Sequence, residues 1–152
     1  MNLQIRRALP EEADVLSQIA FSAKAHWGYP RRWMEIWKPQ LTFSPEYFGE
    51  NEGWVAETNG IPIAFYTLQE KAGNAWIENL WVSPEFIGKG AGKELFLHAT
   101  ELSRQRGYKT LKLEADPNAV GFYEKMGMVQ VGERHSDVED EPRILPIMEM
   151  RL

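Results

Sequence analysis

Trp76-Ile77-Glu78-Asn79-Leu80-Trp81-Val82-Ser83-Pro84-Glu85-Phe86-Ile87-Gly88-Lys89-Gly90-Ala91-Gly92-Lys93-Glu94-Leu95-Phe96 is the stretch that decides the fold of this 152-residue chain. Its first seven residues are rich in β-branched and aromatic types and predict a strand. Ser83-Pro84 stops that strand, because proline has no N–H to give to a ladder. Gly88, Gly90 and Gly92 then alternate, and Lys93 to Ala99 has the composition of a helix. Glycines at alternate positions leave backbone N–H groups uncovered by side chains. The helix start adds unpaired N–H groups and a partial positive charge. Together they predict a site for a phosphate or diphosphate.

Two common glycine loops are excluded residue by residue. The nucleotide-triphosphatase loop needs Gly, four residues, then Gly-Lys-Ser/Thr; here Glu94 follows Gly92-Lys93, and Ile87 holds the first glycine position. The dinucleotide fingerprint needs a third glycine where Lys93 stands, and a loop that follows the strand directly.

Outward from this stretch, the chain reads as alternating strands and helices. Leu3–Ala8 alternates as a strand. Pro10 opens a helix with Glu11, Glu12 and Asp14 in its first turn and Val15, Leu16, Ile19, Ala20 and Ala23 on one face. Pro30 to Lys38 reads as a short helix, followed by a loop through Pro39 and Ser44-Pro45. Strands at 53–58 and 61–68 flank Asn59-Gly60, a strong hairpin signal. After the glycine loop a helix runs to about Arg106, with Leu95, Ala99 and Leu102 inward and Gly107 as its stop. Lys109–Ala115 is the next strand, so strand, helix, strand implies parallel pairing. Asn118 reads as the cap of a short helix, 119–126. Strands at 128–135 and 144–152 close the chain around an acidic segment, 136–142, read as a mobile loop.

Composition bounds the rest. The length fits one domain, 1–152, and 43% hydrophobic residues suit one core. With no cysteine there is neither a disulfide framework nor a thiolate nucleophile. The N-terminus lacks the apolar run of a signal peptide, and no segment reaches the ~20 apolar residues of a membrane span. The expectation is a cytoplasmic protein that binds no membrane. A net charge of −5 argues against nucleic acid as partner.

Val82-Ser83-Pro84-Glu85 through Leu95 resembles the acetyl-CoA loop of the GCN5-related N-acetyltransferase (GNAT) superfamily, with Gly90 and Gly92 as its glycines. Ile87 departs from the Gln/Arg of that pattern. Asn118-Ala119-Val120-Gly121-Phe122-Tyr123-Glu124-Lys125-Met126-Gly127-Met128 resembles a second motif of the same superfamily, at the matching separation. The resemblance covers nearly the whole chain. It implies an α/β (α+β) fold: a mixed, mostly antiparallel sheet of about seven strands flanked by helices, with two parallel central strands splayed apart. It also implies a bulge in the strand 76–82 and backbone donors near Leu80 and Trp81.

The implied activity is acetyl-CoA-dependent N-acetyltransfer to a primary amine of a small molecule or peptide, with acetyl-CoA as co-substrate and no metal. The alternative is an acyl-CoA-binding module without turnover. The implied cofactor contacts are Leu80, Trp81, Val82, Ile87, Gly88, Lys89, Gly90, Ala91, Gly92, Lys93, Asn118 and Tyr123. Tyr123 matches the position of the general acid; a phenol of pKa about 10 is close to an alkyl thiol. Glu78 is the leading base candidate. Whether Glu78, Asn79 or a water relay meets the acceptor depends on the bulge, because one extra residue reverses strand parity. Glu114 and His26 are weaker candidates. Trp27, Trp33 and Trp37 form either an acceptor-binding wall or an anchor for two short helices. Whether the chain forms a homodimer is left open.

Overall fold

Strand-forming and helix-forming runs alternate along the chain much as their periodicity dictates. The computed structural model describes residues 2–152. The elements are β1 (Gln4–Arg7), α1 (Ala13–Ala25), α2 (Arg31–Trp37), α3 (Pro45–Glu50), β2 (Glu52–Thr58), β3 (Ile61–Lys71), β4 (Asn74–Val82), α4 (Ala91–Gln105), β5 (Thr110–Glu114), α5 (Val120–Lys125), β6 (Val129–His135) and β7 (Ile144–Arg151). The strands form one seven-stranded sheet in the order β1-β2-β3-β4-β5-β7-β6. Pairings β1–β2, β2–β3, β5–β7 and β6–β7 are antiparallel, whereas β4 and β5 are parallel. This is the expected mixed α/β sheet flanked by helices. No helix of the described residues is long and apolar enough to cross a membrane.

The parallel pair is short. β4 meets β5 at Ala75↔Leu111 and Trp76↔Lys112, after which β4 runs on to Val82. Among the described residues, β4 and β5 pair at those two positions alone.

The described chain divides into two compact units, residues 2–68 with 79–97 and residues 69–78 with 98–152. In the first, Leu16 and Ala20 of α1 are fully buried, as are Val55, Ala56, Phe65 and Tyr66 of the sheet. Phe43, Phe48 and Phe65 pack in tilted and edge-to-face contacts at 5.5–6.0 Å between ring centroids. α3 falls where the sequence reads as loop. Its cap is local: Ser44 Oγ accepts the Tyr47 N–H at 3.2 Å, and Pro45 takes the first helical position.

In the second unit, Ala99 and Ser103 of α4 are fully buried, as are Ala75, Leu111 and Met148. Ser103, rather than Leu102, carries the inward stripe of α4, its Oγ donating to the Ala99 carbonyl at 2.7 Å. Residues 136–142 are not the loose loop expected. Val138 and Glu141 exchange backbone hydrogen bonds of 3.0 and 2.8 Å, and the Val138 side chain is buried.

Arg143 closes that turn and reaches Asp116 at 3.1 Å, with only 9% and 10% of the two side chains exposed. A buried pair stripped of one member leaves an uncompensated charge. Asp116→Ala is therefore expected to destabilise the fold by about 3–5 kcal/mol in urea unfolding. A loss below ~1 kcal/mol would place the pair among ordinary surface bridges.

Candidate functional site

The β3–β4 hairpin sets the geometry of the strand that the sequence singles out. Ala72 and Gly73, at φ 51° and 82°, close it as Asn59 and Gly60 (φ 51° and 78°) close β2–β3, where Thr58 faces Ile61. Lys71 then faces Asn74, and regular pairing would bring Ile63 opposite Val82. Instead the Ser83 N–H donates to the Ile63 carbonyl at 2.8 Å, so β4 carries one extra residue.

The side chains locate that residue. Glu78 pairs with Lys71 Nζ, and Asn79 Nδ2 donates to Thr67 Oγ1 at 2.9 Å. Lys71 and Thr67 lie four apart on β3 and so share a face. Glu78 and Asn79, although adjacent, therefore also share a face, which only a bulge between them permits. The choice between them is thus not one of parity: both look the same way. Lys71, which also lies 5.3 Å from the Trp76 ring centroid, occupies the Glu78 carboxylate.

Past the bulge, Trp81 Nε1 donates to Asn79 Oδ1 at 3.0 Å. Ser83 opens a single 3-10 turn, Pro84–Phe86, and Lys89 N–H donates to the Phe86 carbonyl at 3.3 Å. Gly88 and Gly90 sit at φ 80° and 94°, where an L side chain is strained. No heavy atom lies within 4 Å of the place a Cβ would take at either. The first bond of α4 is from Glu94 N–H to the Gly90 carbonyl, at 3.0 Å. The N–H groups of Ala91, Gly92 and Lys93 thus precede the helical ladder, at its positive end. Glycine backbone with open space on one side, followed by helix-start N–H groups, fits a diphosphate. Ile87 is exposed at the position where the family pattern has Gln/Arg. Lys89 and Lys93 are both exposed, and Lys89 lies over the Phe86 ring at 5.5 Å.

In the other unit, Tyr123 is buried on α5, its ring 5.2 Å from Phe122. Burial, with a smaller contribution from the Asp116 carboxylate, pushes its phenol well above the ordinary value of 10.0. The near-match with a thiol expected from sequence is therefore shifted: Tyr123 stays protonated and its proton is harder to release. Accordingly, no descending limb in kcat/KM below pH ~10 is expected from Tyr123. A pH series of wild type and Tyr123→Phe checks this; a limb near neutrality present only in the wild type would contradict it.

Asn118 is not the helix cap. Asp116 caps the 3-10 turn Pro117–Ala119, its Oδ1 accepting from the Asn118 N–H at 2.9 Å and Nδ2 at 3.0 Å. Ala119 stands at the N-cap of α5. Capping therefore no longer explains an Asn at this position.

The weaker candidates are otherwise engaged. Glu114 is ion-paired with Arg134, and His26 packs near Trp27 on the surface. Trp33 stacks on Tyr29 at 6.1 Å, Trp37 meets Tyr29 and Trp33 edge-on at 4.9 and 5.8 Å, and Lys24 Nζ lies 4.4 Å from the Trp37 ring centroid. With Trp37 buried and Trp27 exposed, the tryptophans act as an anchor for α2 more than as an open wall. Sequence reasoning missed Tyr47 and Thr67 beside Asn79. The available signal was Thr67, a hydroxyl within the buried run 63–68.

A family model described as the acetyltransferase (GNAT) family matches residues 17–128. The 5-NmdU N-acetyltransferase of Pseudomonas phage PaMx11 is 31% identical over 133 residues, spanning 85% of this chain and 89% of that protein. The peptidyl-lysine N-acetyltransferase YjaB of Salmonella typhimurium is 33% identical over 106 residues, 69% of this chain and 68% of that one. In three dimensions the chain is similar to the PaiA N-acetyltransferase of Thermoplasma acidophilum, solved in complex with coenzyme A. The TM-score is 0.78 at 23% identity, with 100% of both chains covered, a likeness of fold. The chain belongs to the acetyltransferase (GNAT) family and, by class, is an N-acetyltransferase.

Proposed function

We propose that residues 1–152 act as one domain that moves an acetyl group from acetyl-CoA to a primary amine of a small molecule or peptide. The observation that carries this reading is the pair of left-handed glycines, Gly88 and Gly90, opening onto the start of α4. In this reading the main chain from Ile87 to Lys93 holds the diphosphate, and Lys89 and Lys93 add positive charge. Backbone N–H groups at Leu80, Trp81 and Val82, beyond the bulge, donate to the pantetheine arm and to the thioester oxygen.

Acetyl-CoA supplies an acetyl group already activated as a thioester. A C–N bond forms, the C–S bond breaks, one proton leaves the amine and one reaches sulfur. Glu78, once released from Lys71, or a water on the Glu78–Asn79 face takes the amine proton. Tyr123 donates a hydrogen bond to the departing sulfur, and Asn118 contacts the cofactor. The peptidyl-lysine acceptor in the name of one relative supports an amine here.

Thiol release from acetyl-CoA tests the proposal with a lysine peptide, an alanine-N-terminal peptide and 5-NmdU as acceptors. Turnover with at least one is expected. Tight coenzyme A binding with no turnover on any amine would favour the binding module instead.

A further inference from the structure

Asn79 sits in a closed set of hydrogen bonds whose sense is fixed by chemistry. An indole N–H can only donate, so the amide atom 3.0 Å from Trp81 Nε1 must be the oxygen. Nδ2 is thereby turned towards Thr67 Oγ1 at 2.9 Å and the Tyr47 hydroxyl at 3.4 Å. The Tyr47 hydroxyl donates in turn to Thr67 Oγ1, also at 3.4 Å. Thr67 is fully buried, where a hydroxyl is costly unless bonded. Tyr47 is held by Phe43 and Phe48, 5.0 and 5.2 Å away between centroids. An amide oxygen has two lone pairs. Trp81 takes one, and Asn79 is only half-buried, so the second remains within reach of a ligand.

We propose that Asn79 orients the acceptor: its Oδ1 takes one N–H of the incoming amine, while Trp81, Thr67 and Tyr47 are positioning residues that keep oxygen, not nitrogen, facing it. This rests on the acetyltransferase reading above. An amine held through an N–H points its lone pair away from that oxygen, free to form the new C–N bond. A primary amine keeps a second N–H for the base. The Glu78 carboxylate on the same face lies next in line for it.

The test needs no knowledge of the natural acceptor. An adduct in which a CH2–CO unit joins the coenzyme A sulfur to the nitrogen of propylamine offers an amide N–H in place of the amine N–H. Its affinity is compared with that of coenzyme A by titration calorimetry, in wild type, Tyr47→Phe and Thr67→Val. Tyr47→Phe removes the hydroxyl and Thr67→Val replaces it with a methyl group, each keeping close to the native side-chain shape. Wild type is expected to prefer the adduct by about tenfold. Each variant is expected to lose about fivefold of adduct affinity, with coenzyme A affinity within about twofold. A preference that survives in both variants overturns the proposal, as does an equal loss for both ligands, the mark of a merely structural role. Wild type that binds coenzyme A but gains nothing from the adduct also overturns it. Wild type that binds neither overturns the acetyltransferase reading itself.

Discussion

Tyr123→Phe is expected to slow acetyl transfer by about 10²–10⁴-fold while coenzyme A affinity stays within about threefold of wild type. The substitution removes one oxygen and keeps the ring against Phe122. Its effect on turnover thus reports the hydroxyl and not the packing. Burial holds that hydroxyl protonated, which under the proposed mechanism leaves it able to donate a hydrogen bond to the departing sulfur. Steady-state kcat and a coenzyme A titration on the same preparations give both numbers. A loss in kcat below about fivefold would reduce Tyr123 to a packing residue.

Gly90→Ala carries the second large effect: coenzyme A affinity is expected to fall by about tenfold or more. At φ 94° an alanine either strains the loop, by about 1–2 kcal/mol, or lets it relax and turns its N–H groups elsewhere. If the loop holds, the added methyl group enters the open space assigned to the diphosphate. Gly107→Ala is the control. Gly107 has φ 84° at the far end of α4, so its substitution strains the backbone equally but should leave coenzyme A affinity unchanged. Equal loss of binding in both variants would point to global destabilisation and away from the loop.

The elements legible in the sequence are those with a local cause. Asn59-Gly60 marks its hairpin because both residues tolerate positive φ, and Gly107 marks the end of α4 for the same reason. The glycine loop is legible because its left-handed positions, Gly88 and Gly90, call for glycine. α3 carries Ser-Pro-Glu, a cap, a first-turn proline and an acid, but six residues are too few to display periodicity. Asn118 reads as a cap because the competing acceptor, Asp116, is set by the same turn and not by composition.

The bulge in β4 is implied by the family resemblance and not by the alternation of residues 76–82 themselves. It arises from the mismatch between the Ala72-Gly73 turn at one end of the hairpin and the Ser83–Ile63 bond at the other. Tyr47 could not be placed beside Asn79 at all from sequence. Thirty-two positions separate them, and the aromatic packing of Phe43 and Phe48 closes the gap.

Coenzyme A titrated calorimetrically into the folded chain addresses the glycine loop without reference to any acceptor. Saturable heat at one ligand per chain, weakened about tenfold or more by Gly90→Ala, is the outcome expected of main-chain N–H groups that hold a diphosphate. No heat with coenzyme A or acetyl-CoA, from protein that still unfolds cooperatively, would contradict it.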